Sequence, residues 1–121
     1  MTVLHVLKID HWAPTPLNKL LNAHWAERNR MKRADHDMVY YAAKEANIPK
    51  ATGKRRVMLT IILKPRQRAT DPDSPQKSLG DALVKAGLLL NDSHLWVEWE
   101  PVRFERGTAK RNGSIIVLED I

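Results

Sequence analysis

The sequence predicts an α+β fold, a single domain over residues 1–121 with two main helices packed on a mixed β-sheet in the order β-α-β-α-β-β. Three observations lead there. At 121 residues the chain supports one modest core but not two. Apolar alternation of period two recurs in some segments, and three-and-four spacing in others. These segments succeed one another as strand, helix, strand, helix, strand, strand, which is the pattern of layers sharing one core.

Each element has a local reason. Val3 to Ile9 alternates and predicts the first strand. The stretch from Asp10 holds Pro14 and Pro16, which remove backbone donors and favour an irregular loop. A helix is predicted from Trp25 to Glu45, with Met31, Ala34, Met38, Tyr41, Ala42 and Glu45 as its buried stripe. Arg28, Lys32, Asp35 and His36 lie away from that stripe. Asn47, Ile48 and Pro49 end the helix, and Thr52-Gly53 marks a turn. Arg56 to Lys64 is apolar on both faces and predicts a central strand. A second helix runs from Pro75 to Ala86, with Ser74 as N-cap, Leu79, Ala82, Leu83 and Ala86 buried, and Gly87 as its stop. Two more strands, Leu95 to Phe104 and Ser114 to Glu119, flank a basic turn with Gly107 and Asn112-Gly113.

Charge points to a polyanionic partner. Lys and Arg number 20 against 14 Asp and Glu, a formal charge of +6. Basic residues cluster beside predicted element ends, notably Arg28, Arg30, Lys32 and Arg33, and Arg66 and Arg68, as candidate phosphate contacts. A solvated helix face is an almost equal account of the first group. There is no cysteine, which removes disulfides and thiolate chemistry. No run is long enough to span a membrane, and MTVLHVLKIDHW lacks the features of a secretory signal, so a cytoplasmic location is expected.

Acidic residues concentrate instead between Asp71 and Glu100. Asp71 and Asp73 stand two apart before a helix, and in extended geometry would point to one side. Lys77 and Asp81 share a helix face. Asn91 and Asp92 follow that helix. Convergent carboxylates suit Mg²⁺ or Mn²⁺, which position and acidify water in phosphodiester cleavage, and Lys77 adds a cation for the phosphate. Ordinary roles compete. Aspartates cap helices, Lys77 and Asp81 form a surface pair, and Asn-Asp-Ser makes a turn. The histidines lack zinc-ligand spacing, and His94 reads as an edge-strand residue near Asp92. Trp12 and Trp25 suit core packing better than base stacking. Of Trp96 and Trp99, one should face the core.

Asp71-x-Asp73, Lys77, Asp81-Ala82-Leu83 and Asn91-Asp92 together resemble the signature of RusA-type Holliday junction resolvases, a family often encoded by phages and prophages. Pro16-Leu17-Asn18, His24-Trp25 and the basic helix are similar to that family's N-terminal half. The resemblance implies a homodimer that binds four-way DNA junctions and makes paired symmetric nicks with Mg²⁺ or Mn²⁺. It implies catalytic roles for Asp71, Asp73, Asp92 and Lys77. The metal ligands would be Asp71, Asp73 and Asp92, with Asp81 and Asn91 as further candidates. Two positions depart from the pattern. Ser74 replaces a usual asparagine, and Asn91 replaces the first of two paired aspartates, which removes a charge beside the metal. A RusA-like module that binds junctions without cleaving them is the alternative expectation.

Overall fold

The computed structural model describes residues 3–121. Its elements are β1 (Val3–Asp10), α1 (Leu17–Leu21), α2 (Trp25–Glu45), β2 (Arg55–Leu63), α3 (Ser74–Lys85), β3 (Val97–Trp99), β4 (Arg103–Arg106) and β5 (Gly113–Asp120). β2 is apolar on both faces because it lies inside the sheet. β5 pairs antiparallel along one edge, and β3 and β4 pair parallel along the other. β1 closes the far side by pairing antiparallel with β5. β1 through β4 therefore run one way and β5 runs against them, so the sheet is mixed and the fold is α+β.

One sheet face carries the core. Leu7, Ile116 and Leu59 lie in register across three strands, and the helices meet this face through Val39, Ala43, Leu79, Ala82 and Leu83. Leu79 and Leu83 are fully buried, each stabilising the fold by about 1.5–3 kcal/mol through removal of apolar surface from water. They fasten α3, whose other side bears the acidic residues. By the period-two rule the opposite face presents Leu4 and Val6 of β1, Ile115 and Val117 of β5, and Met58 of β2. Leu4 and Val6 remain 55% and 53% exposed there.

The stretch from Asp10 starts as an irregular loop, as expected, and after Pro16 forms a one-turn helix, α1. Three local expectations are corrected. The buried stripe of α2 is Asp35, Val39 and Ala43, whereas Met38 and Tyr41 are exposed. Asp35 occupies a core position because it accepts bonds from Trp12 Nε1 (3.2 Å) and the Thr15 amide (3.1 Å). A charged residue inside the stripe shifts the apparent phase of the apolar pattern. The strand expected from Leu95 to Phe104 is divided into β3 and β4 by Glu100-Pro101-Val102, since proline cannot donate to a ladder. His94 lies in the turn before β3, not in a strand. Among the described residues, no helix is long and apolar enough to cross a membrane.

Candidate active site

The N-terminus of α3 is shaped by a turn. The Ser74 amide donates to the Asp71 carbonyl at 2.9 Å, and Asp73, not Ser74, is the N-cap, with helical backbone (φ −77°, ψ −17°) and no side-chain capping bond. The extended geometry expected for Asp71 and Asp73 is thus replaced by a turn. Asp71 borders a recess with Leu17, Asn18 and Thr70. Asp73 borders that recess and also a second one, lined by Gln76, Lys77, Gly80, Asp92 and Trp99. Ser74 has a different task from capping. Its Oγ accepts from the Leu17 amide at 3.0 Å, and Ser78 Oγ donates to the Thr15 carbonyl at 2.6 Å. Both bonds tie the 15–17 segment to α3.

Asp73, Lys77 and Asp81 succeed one another at four-residue intervals, so they form a row along α3. Lys77 Nζ lies 3.5 Å from Asp81 Oδ1 and 3.6 Å from Asp92 Oδ2. Asp92 reaches this row from the segment after α3. That segment is set by an Asx turn in which Asn91 Oδ1 accepts from the Ser93 amide at 3.0 Å. Gly80 leaves room for Trp99 to pack closely on α3 beside this row. A Cβ there would stand 3.2 Å from Trp99 Cζ2 and 4.0 Å from Asp92 Cβ. Trp99 also packs against the core, so one side chain joins the hydrophobic interior to the wall of the recess. His94 borders a further recess that shares Gln76, Asp92 and Trp99.

The Lys77 and Asp92 side chains are 56% and 49% exposed, and ion pairs so open to water contribute only a few tenths of a kcal/mol. Their effect is to hold a cation against two carboxylates at the surface. Asp73 and Asp92 are hard oxygen donors in the number that Mg²⁺ takes when phosphate and water complete its shell. Among the described residues, no group of three or more His, Asp or Glu is arranged to hold a metal ion. The recess therefore offers two carboxylates, Asp73 and Asp92, the latter paired with Lys77, while Asp81 lies across that lysine and Asp71 borders the adjoining recess.

The basic candidates divide. Arg28 donates from Nε to the Leu20 carbonyl (3.0 Å) and from Nη2 to the Ala23 carbonyl (3.3 Å), so its guanidinium closes the end of α1. Arg30 and Arg33 are exposed on α2, and Lys32 is half-buried. Arg66 and Arg68 are exposed on the loop between β2 and α3. Arg106 holds that loop by donating to the Lys64 carbonyl at 2.7 Å. Gly80, Trp99 and Arg106 were not singled out for the site by sequence reasoning. Only Gly80 carried a usable signal, since it lies three residues from Lys77 on the same helix face.

No protein-family model matches the chain, and no curated protein matches it closely enough to identify a relative.

Proposed function

We propose that the chain is a metal-dependent, structure-specific DNA endonuclease that resolves four-way junctions by paired phosphodiester hydrolysis. The observation that carries this is the recess where Asp73, Lys77 and Asp92 meet at the surface of a protein with a formal charge of +6. A basic body attracts the nucleic-acid backbone, and the local acidic cluster supplies what a basic body lacks, donors for a divalent cation. The Asp71-x-Asp73, Lys77, Asn91-Asp92 resemblance to RusA-type resolvases points the same way.

Asp73 and Asp92 would hold Mg²⁺ or Mn²⁺, which when bound acidifies a water and neutralises charge on the cleaved phosphate. Lys77 offers its ammonium to a phosphate oxygen, where charge grows in the transition state. Asp81 keeps that ammonium in place from one turn further along α3. Arg66 and Arg68 lie on the loop leading to Asp71, suited to the backbone of an incoming strand. The test is nicking of a synthetic junction across a metal series. Cleavage is expected with Mg²⁺ or Mn²⁺, and cleavage unchanged in Asp73→Asn would falsify the site.

A second function, junction binding without cleavage, has its own support. Asn91 brings no charge, its Oδ1 already accepts from Ser93, and Asp71 borders the next recess. Binding with no nicking under any divalent ion would favour it.

The uncovered sheet face supports a homodimer. A row of Val6, Val117 and Met58 separates an edge where Glu98, Glu100 and Glu119 surround Arg56 from an edge with Lys8 and Arg103. Two copies stacked about a two-fold axis through the apolar row would set acidic edge on basic edge.

A further inference from the structure

We infer that the cavity off the carboxyl ends of β1 and β2 is a receptor for a single unstacked nucleotide, base inside and phosphate at the rim. It rests on DNA being the substrate, and it concerns a place distinct from the carboxylate recess. The cavity holds about 300 Å³, the low end for small-molecule sites and of the order suited to one heterocycle. Two strands that run in the same direction, β1 and β2, end at it.

Its walls select the ligand. Pro14, Ile61, Pro75 and Phe104 make apolar sides. Trp12 adds an aromatic surface fixed by its bond to Asp35, and bases stack on such surfaces regardless of sequence. The mouth is cationic, with Lys19, Lys64 and Arg68, and among the described residues no Asp or Glu lines the cavity. Among the described residues, none of these three cations is in an ion pair. Apolar walls interspersed with the polar groups of His11, Gln67 and Asn112, beside an unneutralised positive mouth, fit an aromatic heterocycle bearing a phosphate. Thr70 lines both this cavity and the recess of Asp71 and Asp73, and Asp73 joins that recess to the one holding Lys77 and Asp92. A strand anchored by one base in the cavity is led along the protein to the carboxylates. Extruding a base costs least where pairing is already broken, so the receptor favours the branch point over the arms.

The experiment uses four-way junctions carrying 2-aminopurine at the crossover or in an arm, with Ca²⁺ in place of Mg²⁺ and anisotropy read in parallel. Fluorescence is expected to rise for the crossover probe and not for the arm probe. Ala13→Phe, which adds bulk at a residue lining the cavity, and Thr70→Trp, on the exposed loop, should each abolish the rise. Lys64→Glu with Arg68→Glu should weaken binding about fivefold through lost phosphate contacts. Bound junction with no rise at the crossover, or a rise that persists in both cavity variants, overturns the receptor and leaves the endonuclease reading standing. If anisotropy shows no junction binding, that reading fails, and deoxyadenosine monophosphate decides the cavity alone. A shift of the Trp12 indole NMR signal that Ala13→Phe removes supports a free-nucleotide site, and no shift overturns it.

Discussion

Lys77 Nζ stands 3.6 Å from Asp92 Oδ2, joining α3 to the segment that follows it. The contact links a residue on a helix fastened to the core with one on a turn shaped by the Asn91 side chain. Lys77→Met should therefore act on chemistry more than on folding. Junction cleavage is expected to fall about 10²-fold in kcat, the usual effect of losing one donor to the developing charge. Thermal stability should shift by only a few tenths of a kcal/mol. A variant that cleaves at the parent rate would remove Lys77 from the mechanism.

Gly80 offers a way to separate the recess from the fold. Alanine favours a helix over glycine by about 0.5–1 kcal/mol, while its Cβ would press on Trp99 Cζ2 at 3.2 Å and touch Asp92 Cβ at 4.0 Å. Gly80→Ala is expected to leave the unfolding midpoint within a few degrees of the parent and to impair cleavage at saturating metal. Unimpaired cleavage would show that the close approach of Trp99 to α3 does not matter.

Arg55 is 2% exposed, and its Nε donates to Asp120 Oδ1 at 2.7 Å. This bond, with a smaller contribution from His5, holds the Asp120 carboxyl below its ordinary value, against the opposing effect of burial. The native state thus binds that proton less readily than the unfolded chain. The stabilisation is complete above the ordinary carboxylate range and is lost as pH falls through the depressed native value. Asp120→Asn should cost about 0.5–1.5 kcal/mol at pH 7, less than a buried charged hydrogen bond because the Asp120 side chain is 44% exposed and screened by water. In urea melts the gap from the parent should close as the medium becomes strongly acidic.

Asp35 has the opposite sign. Burial raises its carboxyl above the ordinary value, partly offset by bonds from Thr15 and Trp12. The native state binds this proton more readily, so the associated stability is present at low pH and lost as pH rises through the raised value. Relative to Asp35→Asn, the parent should gain stability as pH falls from neutral into the carboxylate range. Parallel pH profiles for the two proteins would contradict this.

The uncovered sheet face can be tested by Val6→Glu, placed in the apolar row and 53% exposed. The parent is expected to run as a dimer in light scattering and the variant as a monomer with an unchanged circular dichroism spectrum. A monomeric parent at micromolar concentration removes this face as the dimer contact.

Where apolar period and punctuation agreed, the sequence was readable. The span of α2, the central position of β2 and the stop of α3 at Gly87 follow from pattern and turn residues, and Gly87 has the positive φ (80°) that such a stop uses. The phase of α2 was hidden because Asp35 is buried through tertiary bonds that no local pattern announces. At the site, Asp73, Lys77 and Asp92 were recognisable as residue types at spacings, and they border one recess. The separation of Asp71 from them was not readable, because it depends on a turn closed by a single backbone bond. Trp99 was out of reach too, since its place depends on a parallel pairing of β3 with β2.

β5 lies between β1 and β2, so Leu7 and Leu59 are joined across the sheet through Ile116. During synthesis the first two strands have no partner for their facing edges until residues 113–120 emerge from the ribosome. Until then, the apolar surface on which Leu79 and Leu83 seat α3 is unfinished, and so is the platform for Asp73 and Lys77. Contacts so distant along the chain form slowly. On the endonuclease function proposed above, the cutting site would be complete only once β5 has been translated, and the nascent chain would not cut DNA before then.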